Sequence, residues 1–269
     1  MDKNVEDHPD LSKAPLLTHL IELRRRLIFC MLFFTLVFCG AYYFVELIYG
    51  FLMQPLAQAF DNPEERRMIY TGLHEAFFTY LKLSFYTALF FSIPLILIQL
   101  WKFIAPGLYS HERRSLVPAF LLTPVLFLMG ASLAFFVIMP LAWEFFLGFE
   151  RIGADNGVNG VAVELEARVS EYLSLVIQLV LAFGLSFELP VLLYVLAKVG
   201  LVSATFLREH RKHMIVLTFL VAAFITPPDL ISQIALGTPI LILYELSILM
   251  IKWTNSDRVA LDREKAFQS

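Results

Sequence analysis

The chain has 269 residues, of which 58% are hydrophobic and only 17% are charged. Soluble domains carry about 45–50% apolar and about 25% charged residues, so this composition departs from theirs on both counts. It excludes a disordered chain, a collagen and a disulfide-rich scaffold, and a net charge of −3 gives no indication of nucleic-acid binding. The composition indicates an integral membrane protein.

Six apolar runs in the sequence predict six transmembrane helices, because about 20 apolar residues are needed to cross the hydrocarbon core of a bilayer. The last two runs are short and are separated only by a Thr-Pro-Pro-Asp turn at 226–229, through which no helix could continue. We expect an all-α fold in which residues 1–269 form a single polytopic membrane domain, with flexible segments at 1–15 and 254–269. The predicted spans are 27–44, 77–101, 116–143, 172–196, 214–225 and 230–250.

The distribution of basic residues predicts the orientation of these helices. Sixteen Lys and Arg residues lie in the two terminal segments and in the connections on the same side of the membrane, whereas the opposite side has four. Positively charged segments favour the cytoplasm, so we expect both termini to be cytoplasmic. The first run also resembles a cleaved signal peptide, because three arginines precede it and it contains small residues at 39–41. The run continues beyond those small residues to Phe44, however, and five further spans follow. We therefore expect that it is not cleaved.

One acidic residue lies deep within a predicted span. Glu188 is followed closely by Pro190, which frees a backbone carbonyl one turn earlier. The side chain is either a neutral acid hydrogen-bonded inside a kinked bundle, or a polar spot that receives a partner or lines a wet cavity. Since ionisable groups inside membranes usually mark function, we favour the second interpretation. Lys82 and Glu245 lie nearer to the ends of their spans and are interpreted as structural.

The fifth apolar run is too short for a full span. Its 12 apolar residues give roughly 18 Å of helix against a hydrocarbon core of about 30 Å. The last two runs therefore form either a re-entrant hairpin or a pair around which the bilayer thins, with a polar tip made of Thr226, Asp229 and Gln233. The alternative is a hairpin that neighbouring helices simply cover.

Two acidic residues lie on the face that is otherwise rich in positive charge. Glu22 belongs to an amphipathic stretch over 16–27, which we expect to lie along the membrane surface before it turns into the first span. Glu112 lies in the short second connection. A carboxylate in either position could bind a guanidinium through a two-pronged pair. The alternative for Glu22 is a pair with Arg26, four residues further along.

Several signatures of catalysis are missing from the sequence. There is no glycine-rich phosphate loop, the six histidines show no metal-binding spacing, and no nucleophile and base stand in a recognisable arrangement. We therefore expect that the chain is not an enzyme and that it uses neither a cofactor nor a metal.

Four segments carry a resemblance to one family: 19–27 (HLIELRRRL), 103–114 (FIAPGLYSHERR), 183–190 (FGLSFELP) and 226–233 (TPPDLISQ). They look like the signature stretches of TatC, the six-span subunit of the twin-arginine protein translocase. The resemblance runs from about Leu16 to Trp253. One departure is visible, since three arginines follow Glu22 and its neighbour Leu23 here, where Arg-Lys-Arg is common in the family.

The resemblance implies a receptor for signal peptides with two adjacent arginines, and the core subunit of a translocase that exports folded proteins by means of the proton-motive force. It implies a multi-pass protein of the bacterial cytoplasmic (inner) membrane, surrounded by lipid. The implied partners are folded cargo proteins, single-span subunits of the TatA and TatB type, and further copies in a larger complex, but no nucleic acid.

The resemblance also implies roles for residues at matching positions. Signal-peptide recognition falls to Glu22, Arg24, Phe103 and Glu112, and the intramembrane polar site to Glu188. Partner-subunit docking is associated with Thr226, Asp229 and Gln233, and an outer cap with Pro55 and Phe77.

Two other functions are alternatives to a receptor. A proton-coupled transporter of small solutes could use Glu188 as its carrier, but such folds often show repeated halves, and the sequence has no internal repeat. A purely structural scaffold for another complex would have no affinity for signal peptides.

Overall fold

The computed structural model describes residues 16–59, 68–104, 110–155, 167–225 and 230–267. Within these ranges the regular structure is helical, apart from one isolated pairing between Ile69 and Arg168. The helices are α1 (Leu16–Tyr43), α2 (Val45–Ala59), α3 (Glu75–Ile104), α4 (Ser110–Leu133), α5 (Met139–Asp155), α6 (Val169–Phe187), α7 (Leu189–Lys198), α8 (Ala204–Glu209), α9 (Arg211–Ile225) and α10 (Leu230–Phe267), with a π-helical turn (Ala134–Ile138) between α4 and α5.

Five helical stretches in the described ranges are long and apolar enough to cross a membrane. They overlap the first four predicted spans and the sixth, so the prediction of an all-helical, multi-pass membrane protein is confirmed. The fifth predicted span corresponds to α9, which has 15 residues and is short, as expected. The sixth helix was also expected to be short, and this is wrong: α10 has 38 residues, because its apolar run continues into the polar segment that follows it. The five stretches are His19–Tyr43, Glu75–Phe103, Leu121–Gly148, Val169–Lys198 and Gln233–Trp253.

Helix α1 is a single continuous helix of 28 residues. The sequence predicted a surface helix over 16–27 followed by a turn into the first span, and that turn is absent. The stretch 16–43 contains no proline, and its one glycine, Gly40, lies near the far end. Nothing therefore interrupts the backbone hydrogen bonds where the turn was expected.

Helices α4 and α6 approach each other closely. A Cβ added to Gly130 would lie 2.5 Å from the carbonyl oxygen of Phe183, and a Cβ added to Gly184 would lie 2.7 Å from the ring of Phe127. Both phenylalanines are fully buried. Small residues at such crossings let membrane helices gain van der Waals contact, so these two glycines set the distance between α4 and α6.

The fourth predicted span is broken at Glu188. Helix α6 ends at Phe187 and α7 begins at Leu189, with Pro190 in the first turn of α7. Proline is tolerated in a first turn because its missing N–H would have no partner within the helix. The break therefore coincides with Pro190, and it places Glu188 between two helices.

The two charged residues interpreted as structural contact neighbouring helices. Lys82 Nζ donates to Ser174 Oγ at 2.8 Å, and Arg211 Nη2 lies 2.6 Å from Glu245 Oε2. These contacts tie α3 to α6 and α9 to α10.

Candidate functional site

A carboxylate–guanidinium pair lies near the start of α1. Arg26 Nη2 and Nε donate to the same oxygen of Glu22, Oε1, at 2.5 Å and 3.1 Å. Residues four apart share one face of a helix, which explains why the two side chains meet. They are 22% (Arg26) and 37% (Glu22) exposed, so the pair is partly shielded from water. The alternative interpretation of Glu22, a pair with Arg26, is confirmed.

Arg26 also joins α1 to the C-terminal end of α3. Its Nη1 donates to Gln99 Oε1 at 2.8 Å, and its Nη2 makes a longer contact of 3.4 Å with the carbonyl oxygen of Lys102. Close by, the rings of His19 and Phe103 stack with their centroids 4.0 Å apart. The guanidinium is thus held by acceptors from both helices.

A cavity of about 300 Å³ opens beside this pair. Its volume lies at the lower end of the range found for small-ligand sites. One carboxylate and one amide oxygen face two guanidinium groups there, and a phenyl ring forms an apolar wall. The lining therefore combines two oxygen acceptors, two cationic groups and one apolar wall. The lining residues are Glu22, Arg25, Arg26, Phe29 and Gln99.

The structure brings some of the predicted recognition residues together. Glu22 lines the cavity, and Phe103 reaches the same end of α1 through its stack on His19. Arg24 is exposed on α1 but does not line the cavity. Glu112 lies in the first turn of α4, and its side chain lies outside the described residues.

Gln99 belongs to this cluster, which the sequence analysis did not predict. The signal was present, because Gln99 is a polar residue close to the end of an otherwise apolar run. Its partner, Arg26, is 73 residues away in the chain. Spacing within one helix predicted the contact between Glu22 and Arg26, but the contact across two helices needs their packing.

Glu188 is buried between α6 and α7, with 5% of its surface exposed. The Thr123 side chain of α4 interacts with the carboxylate. Within the described part of the chain, however, neither carboxylate oxygen completes a hydrogen bond of good geometry. A buried polar group in this condition destabilises the fold, and such groups in native proteins call for an explanation such as strain, a functional role or a bound water.

A second cavity, of about 360 Å³, lies between α2, α3, α4 and α6. Its walls are almost entirely apolar, and aromatic rings from α2, α3 and the π-helical turn contribute to them. An apolar chain would fit such walls, whereas a polar solute would lose its hydrogen bonds to water there. Lining residues on the four helices and the turn include Phe51, Phe90, Leu128, Phe135 and Val180.

The hairpin of α9 and α10 is held by one of the predicted docking residues. Gln233 Nε2 donates to the carbonyl oxygen of Phe219 at 2.9 Å. Close to this bond, a Cβ added to Gly237 would lie 3.0 Å from the Phe219 ring, so α9 and α10 are in tight contact. Thr226 and Asp229, the other two predicted docking residues, lie outside the described residues.

The segments predicted to form the outer cap are tied together by Glu75. One carboxylate oxygen, Oε2, accepts hydrogen bonds from the backbone N–H groups of Thr71 and Gly72, at 2.6 Å and 3.2 Å. The other, Oε1, accepts from Ser170 Oγ at 2.5 Å. Next to this group, Ile69 and Arg168 form the isolated pairing between the segments that precede α3 and α6. A single carboxylate therefore joins the start of α3 to the start of α6.

The two residues predicted for the cap have different surroundings. Pro55 is buried inside α2, whereas Phe77 is more than half exposed and meets only the edge of the Phe78 ring in the described contacts. Burial raises the pKa of Tyr49 in α2 to about 12, so this hydroxyl stays neutral beside Tyr70. The cap is thus a packed unit with Phe77 on its surface.

Comparison with known proteins places this arrangement in a family. A family model described as "Sec-independent protein translocase protein (TatC)" matches residues 18–239. The chain belongs to the TatC family. The TatC protein of Magnetococcus marinus is 47% identical over 236 residues, which is 88% of this chain and 83% of that protein. The TatC protein of Escherichia coli K12 is 40% identical over 234 residues, covering 87% and 86%.

Solved structures agree with this assignment. A crystal structure described as the twin arginine translocase receptor TatC has a TM-score of 0.74 and 36% sequence identity to this chain. The match covers 88% of this chain and 99% of the chain in that crystal structure. The resemblance that the four signature segments carried is therefore confirmed over most of the chain, in sequence and in fold.

Proposed function

We propose that this TatC chain is the signal-peptide receptor and core subunit of a twin-arginine translocase in a bacterial inner membrane. It has six spans, of which α9 forms the fifth, and both termini lie in the cytoplasm. The observation that carries the proposal is the carboxylate of Glu22, which faces a cavity of about 300 Å³ at the end of α1 that the basic residues assign to the cytoplasm.

Recognition of two arginines follows from the charges at this end of the molecule. Arg24, Arg25 and Lys102 are exposed there, so a peptide with adjacent cations is repelled unless carboxylates bind it. Glu22 supplies one carboxylate and Glu112 the other. Carboxylates pair with guanidinium through two parallel hydrogen bonds, which a lysine ammonium cannot reproduce. The site therefore favours arginine over lysine.

The apolar part of the signal peptide follows the recognised arginines into the membrane. It moves along the bundle towards Glu188, whose carboxylate lacks a well-formed hydrogen bond in the described part of the chain and is available to a partner group. A segment that displaces lipid from this region gains contact with apolar side chains without exposing its backbone to hydrocarbon.

Partner subunits dock along the hairpin of α9 and α10. Helix α9 presents apolar side chains with no covering helix in the described structure, among them Leu217, Leu220 and Phe224. A single-span helix of the TatA or TatB type can cover this face, while Thr226, Asp229 and Gln233 offer polar contacts near one end. The cap at Pro55 and Phe77 holds the outer ends of the spans, on the same side of the membrane as the turn at 226–229, and further copies of the chain assemble into a larger complex.

Transport of folded cargo draws on the proton-motive force, with no nucleotide used by this chain. Transport into inside-out membrane vesicles tests this point. A protonophore should abolish the transport of a twin-arginine precursor, and removal of nucleotides with an unimpaired proton gradient should leave it unchanged. Loss of transport on nucleotide removal alone would contradict this part of the proposal.

Binding of a fluorescent twin-arginine signal peptide to the purified full chain in detergent tests the receptor role. Glu22→Gln and Glu112→Gln are each expected to weaken binding about tenfold or more, because each removes a charge-assisted pair. Glu171→Gln is the matched control, since it removes an exposed carboxylate at the other end of the bundle. Equal binding of a twin-lysine peptide, with no effect of either variant, would overturn the assignment.

A further inference from the structure

The carboxylate proposed to receive a signal arginine already binds an arginine of this chain. Arg26 donates two hydrogen bonds to Glu22 Oε1. Charge-assisted bonds from a guanidinium to a carboxylate are what an incoming arginine would also form. The ligand and Arg26 therefore compete for the same group by the same chemistry.

Arg26 has other acceptors to which it can remain bonded. Gln99 Oε1 and the carbonyl oxygen of Lys102 lie on α3, 2.8 Å and 3.4 Å from its terminal nitrogens. If Glu22 releases Arg26, the guanidinium keeps these partners and need not enter the cavity as a free cation. The cavity lies next to the pair and is lined by both side chains, so an arriving group reaches Glu22 from the open side.

We propose that Arg26 is a resident stand-in for the signal arginine, which a signal peptide displaces from Glu22 onto the acceptors of α3. This inference rests on the proposed function and adds a regulating residue to it. Arg26 occupies Oε1 and neutralises the carboxylate, so the pair opens before a cationic ligand gains the full attraction of Glu22, and Arg26 raises the affinity that a peptide needs. Weakly basic segments, whose attraction to Glu22 does not exceed that of Arg26, are thereby kept out of the site.

Arg26→Gln is the first test, with the same fluorescent peptide and the purified full chain. Removal of the stand-in is expected to tighten the binding of the twin-arginine peptide about three- to fivefold, the range of a partly exposed ion pair. Because the pair opens for either ligand, the affinity of a twin-lysine peptide should rise by the same factor. Weaker binding in this variant would overturn the proposal, since Arg26 would then support the ligand.

Loss of a positive charge would also tighten binding in a simple electrostatic way, and two comparisons separate the causes. Arg25→Gln removes the same charge from the same cavity, but Arg25 does not bond to Glu22 in this structure, so a smaller effect is expected. In a Glu22→Gln background, Arg26→Gln should no longer tighten binding, because there is no carboxylate to release. A tightening that persists in that background, or an equal effect of Arg25→Gln, would contradict displacement.

Arg26→Lys keeps the charge, pairs with Glu22 through an ammonium, and gives a second variant if Arg26→Gln fails to fold. It is expected to bind the twin-arginine peptide with an affinity between those of the unmodified chain and Arg26→Gln, and weaker binding than the unmodified chain would count against the proposal. Failure of this inference is distinguishable from failure of the receptor assignment. If Glu22→Gln weakens binding while the Arg26 variants do not tighten it, the receptor site remains and the stand-in role is wrong.

Discussion

The carbonyl oxygen of Phe183 on α6 lies 2.5 Å from the position that a Cβ on Gly130 of α4 would occupy. A side chain at position 130 would therefore push the two helices apart. Gly130→Ala is expected to lower stability by about 1–3 kcal/mol, the usual range for overpacking. The thermal unfolding temperature of the purified protein measures this effect.

Gly148→Ala is the matched control, because a Cβ at that position on α5 meets nothing within 4 Å. Alanine has a higher helix propensity than glycine, so this variant should be as stable as the unmodified chain or slightly more so. An equal loss of stability in both variants would show that the contact between α4 and α6 is not the cause.

Replacement of Glu188 should separate stability from function. Its carboxylate lacks a well-formed hydrogen bond among the described residues, and an unsatisfied buried polar group costs about 1–3 kcal/mol. Glu188→Leu is expected to raise the unfolding temperature and to reduce the transport of a twin-arginine precursor. Ser92→Ala is the control, because the Ser92 hydroxyl is also buried and lacks a hydrogen-bond partner among the described residues. This variant should leave transport unchanged. A lower unfolding temperature for Glu188→Leu would contradict this account.

Gln233 is expected to matter for docking because it fixes the hairpin. Gln233→Ala removes the hydrogen bond to the Phe219 carbonyl, which contributes about 0.5–1.5 kcal/mol, and loosens α10 from α9. Co-purification with a single-span partner subunit should fall. Ile234→Ala changes the next residue, which is exposed and makes no such bond. An equal loss of co-purification for both variants would remove the special role of Gln233.

Glu75 is expected to hold the cap segments together. Glu75→Ala leaves the N–H groups of Thr71 and Gly72 and the hydroxyl of Ser170 without their shared acceptor. Amide hydrogen exchange at Ile69 and Val169, which bond across the isolated pairing, should become several-fold faster. Glu171→Ala breaks only an exposed ion pair with Arg168 and should change these rates little. Unchanged exchange in Glu75→Ala would show that other contacts hold the cap.

Much of the fold follows from the sequence because the length of an apolar run predicts a membrane helix. The shortness of α9 and the interruption at Glu188 and Pro190 were predictable in the same way, from run length and from the chemistry of proline. The pair of Glu22 and Arg26 needed only the spacing of a helix. The continuity of α1 was missed because an amphipathic pattern at 16–27 fits a surface helix equally well.

Contacts between distant residues could not be read from the chain. Gln99 bonds to Arg26 only because α1 and α3 cross there, and Glu75 reaches Ser170 only because α3 and α6 begin side by side. Thr226 and Asp229 lie outside the described residues, and so does the side chain of Glu112. The roles of these three residues therefore stay predictions. Helix periodicity fixes which side chains share a face, whereas the choice of neighbour depends on packing.

Site-specific photocrosslinking tests the central claim, that a twin-arginine signal binds beside Glu22. A photoreactive phenylalanine analogue at Phe29, in the wall of the cavity, should crosslink to a twin-arginine precursor in membrane vesicles. It should react far less with a twin-lysine precursor. The same analogue at Tyr43, exposed at the opposite end of α1, should give little product with either. Equal crosslinking of both precursors at Phe29, or stronger crosslinking at Tyr43, would contradict the account.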